Sequence, residues 1–384
     1  MARPEKPCTD FPLFPHANGH WAKKVLGRLH YFGRWDEDSK GKKALAKWNS
    51  EKDDLLAGRT PRQQRAARLS VKGLCDRFMT AKAHQRDAGD ITPRTWQDYH
   101  ATCTRIVAEF DKHRLVEDLA ADDFESLRAS LAKNANPTTL GNEVGRIRVV
   151  FKYAYDAGLI DRPVRFGPTF KKPSKRVLRK ERQKKGERMF EPEDLKKILK
   201  STDGQLKAMI LLGLNCGFGN TDCGTLPLSA VDLDGGWIDF PRPKTAVERR
   251  CPLWPETVQA LREAIEQRPT PKDPANSQLL FVTKYGGPWT TQATFNPITK
   301  EFRKVLDATG TYRPGRSFYT LRHVFETIAG ECRDQVAVNA IMGHVDGTMA
   351  GNYRQRISDD RLRDAVEVVR KWLAPALRRR GAKK

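Results

Sequence analysis

Apolar residues recur every three or four positions over a long stretch in the first half of the chain, as they do on buried helix faces. The pattern predicts four helices: one around Phe78, one beginning at the N-cap pair Thr92 and Pro93, one over Leu119–Leu131 and one over Pro137–Ala157. These helices are long enough to pack on one another. We therefore predict an all-helical domain over residues 68–165.

Two short runs with alternating apolar and polar positions precede this domain within residues 18–35. A turn at Leu26-Gly27-Arg28 joins them, and a helix from Ser39 to Leu56 follows, with Gly58 as its C-cap. Basic residues alternate with aromatic ones along both runs; the basic ones are Lys23, Lys24 and Arg28. Such a ribbon can enter a DNA groove, although its rings could equally form a small core. We predict an N-terminal DNA-binding module over residues 1–62.

The second half mixes helical periodicity with short strands and predicts one domain over residues 189–384. Two strands, Trp237–Phe240 and Arg250–Leu253, flank Lys244. A final helix carries an apolar stripe formed by Leu362, Val366, Val369, Leu373 and Leu377. We expect that stripe to dock on a neighbouring protomer, and packing on its own domain is the alternative. The predicted fold class is mainly α with small β-sheets (α+β).

The charge balance points to a polyanionic partner, because 70 Lys and Arg face 47 Asp and Glu, a net charge of +23. A solvated basic surface without a ligand is the alternative. Ten of the basic residues lie within residues 171–188, beside only two Glu, and we read residues 166–188 as a basic linker. It would follow a phosphate backbone through its first cations, which are Lys171, Lys172, Lys175 and Arg176.

Cysteine usage and hydropathy argue against several other classes of protein. The seven cysteines are scattered and never spaced as CxxC, which is typical of reduced thiols. The N-terminus lacks the apolar core of a signal peptide, and no run approaches the ~20 apolar residues of a membrane span. Cys8, His16 and His20 lack a fourth ligand at suitable spacing, unless His30 is recruited. We expect a cytoplasmic, nucleoid-associated protein with no cofactor, metal, membrane or small-molecule substrate.

The candidate chemistry lies near the C-terminus, where Arg322 and His344 are 22 residues apart and Tyr353 follows nine residues later. Cutting and rejoining DNA without metal or nucleotide requires a nucleophile that keeps the phosphate as a covalent ester, and tyrosine can do this. It also requires cationic donors for the phosphate oxygens and an acid for the leaving oxygen. Among these three residues, Tyr353 is such a nucleophile and Arg322 is such a donor.

At these positions the chain resembles the tyrosine recombinases, the phage integrase family. That family has a His-x-x-Arg-His helix, then Leu-Gly-His and, nine residues later, the tyrosine. The matching text here runs Tyr319-Thr320-Leu321-Arg322-His323, then Met342-Gly343-His344, then Tyr353. The resemblance implies that Tyr353 attacks the scissile phosphate, that Arg322 and His344 hold it, and that Lys244 resembles the family's general acid. It also implies double-stranded DNA as substrate, integration or recombination of mobile elements, and a tetramer on paired sites.

Two residues depart from the family pattern. Tyr319 stands where a histidine is usual, and a phenol can still hydrogen-bond a phosphate. Gly219 stands where the first catalytic arginine belongs, in a segment without any arginine from residue 207 to residue 240. Compensation could come from free N–H groups of a helix starting at Gly219, or from Arg249 or Arg250. The alternatives to a recombinase are a catalytically degenerate DNA-binding protein of the same fold and a topoisomerase-like monomer.

Overall fold

The structure, a computed structural model, describes residues 4–57, 69–184, 186–290 and 296–377. The chain divides into two compact units, residues 1–173 and residues 174–384. Each unit consists mainly of helices and contains one three-stranded antiparallel sheet. The predicted fold class is therefore confirmed. Within the described ranges, none of the helices combines the length and the apolar character needed to cross a bilayer.

The first unit begins with a small sheet that packs against a helix, in the order β1 (Phe14–Pro15), β2 (His20–Val25), β3 (Arg28–Arg34) and α1 (Lys42–Leu56). Leu26 and Gly27 have φ angles of 47° and 82°, and two positive values suit a tight hairpin turn. The helix begins later than Ser39 because the Asp38 carboxylate accepts the N–H groups of Lys42 and Ala44. Gly58 lies outside the described residues.

Buried aromatic rings form the core of this module. Trp21, Phe32 and Trp48 are buried, and the indole N–H of Trp21 donates to the Asp38 carbonyl at 2.8 Å. Lys24 and Arg28 are exposed, while Lys23 is half-buried with its Nζ 5.8 Å from the centre of the Trp48 ring. The core interpretation is confirmed for Trp21, whereas Tyr31 is 40% exposed. DNA contact by the basic side chains stays a prediction.

Four helices make up the rest of the first unit: α2 (Val71–Asp87), α3 (Pro93–Phe110), α4 (Ala121–Asn134) and α5 (Pro137–Asp156). The predicted N-cap is confirmed, since Thr92 Oγ1 accepts the N–H of Thr95 at 3.2 Å. α4 starts two residues later than predicted because the Asp123 carboxylate caps the N–H of Ala120 at 2.8 Å. Aromatic rings meet at the centre of these helices, contributed by Phe78, Phe110, Phe124, Phe151 and Phe170.

The segment predicted as a basic linker is partly core and partly helix. Phe170 is fully buried, 5.4 Å from the Phe124 ring, so the chain stays on the helical core beyond residue 166. The second unit then begins with α6 (Lys175–Lys184), which has no buried residue. The charge pattern predicted neither the buried phenylalanine nor the helix. A single phenylalanine is enough to hold the segment on the core, and a helix can form while all its cations remain in solvent.

The second unit has the order α7 (Pro192–Lys200), α8 (Gly204–Asn215), α9 (Asn220–Thr225), β4 (Val231–Asp232), β5 (Trp237–Asp239), β6 (Arg250–Pro252), α10 (Pro255–Glu266), α11 (Pro297–Ala308), α12 (Tyr319–Ala329), α13 (Gln335–Met342), α14 (Met349–Tyr353) and α15 (Asp359–Leu377). α8 is its central helix, buried continuously from Ala208 to Asn215. It packs against α10, α12 and α15. The predicted strands on either side of Lys244 are confirmed to within one residue.

The last helix packs on its own domain. Leu362, Val366, Val369 and Leu373 are buried in the core of the second unit. The Trp254 indole N–H donates to the Val366 carbonyl at 3.1 Å, and Arg370 pairs with Glu256 at 3.0 Å. The expectation that this stripe docks on a neighbouring protomer is therefore wrong. An apolar stripe indicates that a helix needs a partner surface, and here α7 and α12 of the same domain provide it.

Candidate active site

Arg322 is the most buried charged group among the predicted site residues. It lies in the first turn of α12 and is 2% exposed. Its Nη1 donates to the Gly217 carbonyl at 2.5 Å, and its Nη2 donates to the Met342 carbonyl at 2.6 Å and lies 3.1 Å from His344 Nε2. One guanidinium thus ties the segment before α9 to the turn after α13.

The partners of Arg322 are all neutral. Two carbonyls and an imidazole surround it, and none of the ion pairs among the described residues includes it. Burial lowers the pKa of Arg322, the positive charge of Arg242 lowers it further, and the carboxylate of Asp222 acts in the opposite direction. Arginine remains protonated at neutral pH. The result is a buried positive charge without a counter-ion, a place where an anion is stabilised.

His344 follows directly on the end of α13. Gly343 terminates that helix in the left-handed conformation, with φ 63°, and this turn presents the imidazole to Arg322. His344 Nδ1 lies 3.4 Å from Asn339 Oδ1, so the contacts fit a neutral ring that carries its proton on Nδ1. Burial and the charge of Arg322 lower the pKa of His344. The imidazole is therefore neutral at neutral pH in the absence of an anion.

Tyr353 ends the short helix α14 and is 76% exposed. The Asp346 carboxylate fixes this segment, accepting the Thr348 hydroxyl at 2.7 Å and pairing with Arg354 at 2.7 Å. These hydrogen bonds and the Arg354 charge lower the pKa of Asp346 to about 2. The Tyr353 hydroxyl takes part in none of the hydrogen bonds found within the described ranges. The Tyr353 phenol is thus accessible to solvent.

Lys244 lies in the turn of the hairpin between β5 and β6, and its side chain is exposed. Two neighbours fix that turn to the segment before His344: Thr245 Oγ1 and Arg242 Nη1 donate to the Gly343 carbonyl at 3.1 and 3.3 Å. Lys244 is therefore held next to the Arg322–His344 pair by residues on both sides of it.

Gly219 and Tyr319, the two departures from the family pattern, are in contact. A Cβ added to Gly219 would lie 3.3 Å from two carbons of the Tyr319 ring and 3.3 Å from Asp222 Oδ2. The Tyr319 ring also meets His323 edge-on at 5.3 Å and is 43% exposed. The phenol ring thus occupies the space into which a side chain at position 219 would extend.

Three of the groups that the sequence suggested for compensation, the Gly219 N–H, Arg249 and Arg250, already have partners within the domain. The N–H of Gly219 already donates to Asp222 Oδ2 at 2.7 Å. Arg249 is 2% exposed, pairs with Asp222 at 3.0 Å and lies against the Phe218 ring at 4.4 Å. Arg250 pairs with Asp239 at 2.7 Å and with Asp359 at 3.0 Å. These groups hold the domain together.

Sequence reasoning missed Arg242. Its only signal is its place two residues before Lys244 in the stretch PRPKT. The structure sets it beside the turn that carries His344, through the bond to the Gly343 carbonyl.

The structure brings together Arg322, His344 and the hairpin of Lys244, and it places Tyr319 over Gly219. The predicted DNA-binding cations lie elsewhere, and all but Lys23 are exposed: Lys171, Lys172, Lys175, Arg176, Lys23, Lys24 and Arg28. Their contact with DNA stays a prediction.

Residues 188–358 match the model of the phage integrase family. Among solved structures, the chain is similar to a lambda integrase dimer bound to a COC' core site, with 15% identity, a TM-score of 0.57, and coverage of 94% of this chain and 99% of that one. It is also similar to a lambda integrase tetramer bound to a Holliday junction, with 16% identity, a TM-score of 0.55, and coverage of 92% and 98%.

The Tn1549 transposon integrase in complex with circular intermediate DNA is a third similar structure, with 15% identity, a TM-score of 0.54, and coverage of 77% of this chain and 98% of that one. No curated protein matches the sequence significantly. At these identities the structural likenesses establish the fold, and the family match covers the segment that holds every predicted catalytic residue. Residues 188–358 are therefore similar to the phage integrase family, the tyrosine recombinases, and the chain shares the fold of lambda integrase.

Proposed function

We propose that this protein is a site-specific DNA recombinase or integrase that cuts and rejoins DNA through a 3′-phosphotyrosine at Tyr353. The observation that carries the proposal is the buried guanidinium of Arg322, which contacts His344 and has only neutral partners. Burying a charge without a counter-ion is costly, and a phosphate is the anion that a DNA-cutting family would bring there.

The chemistry would proceed by direct displacement at phosphorus. The Tyr353 oxygen forms a bond to the scissile phosphorus, the bond to the 5′ oxygen breaks, and the phenol proton leaves to solvent. Lys244, on the exposed hairpin turn, would give its proton to the departing 5′ oxygen. Arg322 would stabilise the charge on the non-bridging oxygens, with His344 beside it. Attack by a 5′ hydroxyl on the phosphotyrosine reverses these steps and rejoins the strand.

The N-terminal module and the helical domain of the first unit would bind DNA. The N-terminal module would contact DNA away from the crossover site, and the helical domain would hold the core site together with the catalytic domain. The lambda integrase structures include a dimer and a tetramer on DNA, which supports assembly of this chain as a homo-oligomer on paired sites.

The test is a covalent adduct. The full-length protein is mixed with nicked duplexes that tile the DNA flanking its own gene, and the products are separated on a denaturing gel. A band that carries both protein and DNA supports the proposal. Tight binding without any such band favours the second candidate, a catalytically silent DNA-binding protein, whose specific support is the glycine at position 219.

Duplex binding should depend steeply on salt, because contacts between cations and phosphates release counter-ions. Arg176 and Lys180 are exposed one turn apart on α6, so the double variant Arg176→Gln/Lys180→Gln should reduce the slope of log K against log salt by up to about two. The matched control is Arg303→Gln/Lys304→Gln, whose cations already pair with Asp307 and Glu301 at 2.8 Å. Equal slopes for both double variants would remove α6 from the interface.

Gly219→Arg should lower the adduct yield by about tenfold, since its Cβ would crowd the Tyr319 ring and overpacking costs ~1–3 kcal/mol. Gly219→Arg/Tyr319→His, which has the usual family residues at both positions, should recover most of that loss because the smaller ring frees the space. Residues in contact couple in this way, and a double-mutant cycle on one nicked substrate measures the coupling. A higher yield from Gly219→Arg alone would instead indicate a decayed site.

A further inference from the structure

We propose that Arg242 supplies the second guanidinium that Gly219 does not, and that it contacts the scissile phosphate together with Arg322. This inference rests on the proposed function, because it names a further catalytic residue of the same site. Arg249 and Arg250, which the sequence suggested for this part, are less suited to it, because Arg249 is 2% exposed and Arg250 pairs with Asp239 and Asp359.

The two guanidinium groups bind consecutive carbonyls of one turn. Arg322 Nη2 donates to the Met342 carbonyl at 2.6 Å, and Arg242 Nη1 donates to the Gly343 carbonyl at 3.3 Å. The turn itself carries His344 to Arg322. Two cations thus approach this turn from different elements, Arg322 from α12 and Arg242 from the hairpin.

Close packing fixes the course of the Arg242 side chain. A Cβ at Gly343 would lie 2.7 Å from Arg249 Cδ, 2.8 Å from Arg242 Cβ and 3.0 Å from Arg242 Cδ, so only glycine lets both arginine stems lie along the turn. Gly343 also needs its left-handed φ of 63°, which a side chain would strain. The Arg242 stem is therefore held against the turn, and its head group starts near the place where the phosphate would bind.

The charge of Arg242 is available to an anion. The side chain is half-buried, its hydrogen-bond partner is a neutral carbonyl, and no ion pair among the described residues includes it. Arg249 and Arg250, on the same hairpin, pair with Asp222, Asp239 and Asp359. Of these three hairpin arginines, Arg242 alone combines exposure to solvent with freedom from a carboxylate.

A second guanidinium would strengthen the stabilisation of the reacting phosphate. The non-bridging oxygens of the phosphate gain charge as the tyrosine attacks, and each fixed donor stabilises that charge. Burial lowers the pKa of Arg322, and the positive charge of Arg242 lowers it further. A phosphate between the two guanidinium groups would relieve the repulsion between them.

The experiment compares cleavage of two nicked duplexes, one with a normal scissile phosphate and one with a methylphosphonate, which lacks the negative charge. The variants are Arg242→Ala and Arg242→Lys, and the control is Thr245→Val, which removes the other donor to the Gly343 carbonyl without changing charge. Duplex binding and thermal unfolding are measured for each, so that a variant that fails to fold is recognised. Arg242→Lys serves as the folded variant if Arg242→Ala is lost.

We expect Arg242→Ala to reduce cleavage of the phosphate by ~10²–10³-fold with binding intact, and Arg242→Lys to lose less. Thr245→Val, which loosens the turn of Lys244 without changing charge, should lower cleavage of both duplexes by the same factor. On the methylphosphonate, the difference between Arg242→Ala and the native protein should shrink to a few-fold, because there is less charge to neutralise.

Three results would overturn the inference. If the native protein cleaves and Arg242→Ala cleaves equally well, Arg242 has no catalytic part, while the proposed function stands. If Arg242→Ala is equally impaired on both substrates and Thr245→Val matches it, Arg242 only anchors the hairpin. If the native protein cleaves neither duplex while binding both, the proposed function fails and this inference fails with it.

Discussion

Tyr353→Phe should abolish the covalent protein–DNA adduct completely and leave duplex affinity unchanged. In the proposed mechanism the substitution removes the attacking phenol oxygen and leaves the rest of the side chain unchanged. Because the side chain is 76% exposed and its hydroxyl bonds to no described residue, folding should not be affected. Denaturing gels for the adduct and a binding titration on the same nicked duplex make the comparison.

A matched control is available within the same domain. Tyr285 is 78% exposed and lies in a loop far along the chain from the candidate site, so Tyr285→Phe should keep the full adduct yield. An adduct that survives Tyr353→Phe, or one that disappears with Tyr285→Phe, would show that the nucleophile has been assigned to the wrong residue.

Arg322→Lys should reduce the rate of adduct formation by ~10²–10³-fold and also destabilise the protein. A single ammonium cannot reach the Gly217 and Met342 carbonyls and the His344 ring together, as the planar guanidinium does. Each carbonyl left without its donor costs about 1–3 kcal/mol of unfolding free energy. Urea denaturation measures the second effect, and single-turnover cleavage of the nicked duplex measures the first.

The loss of stability has to be separated from the loss of catalysis, and Arg316 permits this. Arg316 is another buried arginine of the same domain; it donates to the Thr311 and Met189 carbonyls and pairs with Asp194 at 3.0 Å. Arg316→Lys should therefore cost similar stability and leave the adduct yield of the folded protein close to native. Equal loss of adduct in both variants would mean that Arg322 supports the fold alone.

Much of the fold could be predicted because local signals agreed with the tertiary packing. Thr92 with Pro93 marked a helix start, and the apolar spacing around Phe78 marked a buried face. Predictions were poorer where one side chain overrode its neighbours. Phe170 holds a stretch of cations on the helical core, and Asp38 delays the start of α1 by capping its N–H groups.

By itself, the sequence determined the catalytic candidates, because the spacing of Arg322, His344 and Tyr353 depends only on short, well-defined elements along the chain. It also revealed the missing arginine at position 219. The sequence could not show which cation could take the place of that arginine. The answer depends on distances in space between segments that are far apart in sequence, and the spacing of residues along the chain does not give those distances.

Only the tertiary structure showed that Gly219 and Tyr319 touch and that Arg249 is sealed against Asp222. The same holds for Arg242, which reaches the turn of His344 across about a hundred residues of chain, through a hydrogen bond whose partners are 101 positions apart. Tertiary packing determines which side chains meet. Whether a charged group is buried, and whether a glycine allows a close approach, depends on the residues of the neighbouring segment that pack against it. The sequence identified the candidate residues of the site, and packing decided which of its arginines pair with a carboxylate and which do not.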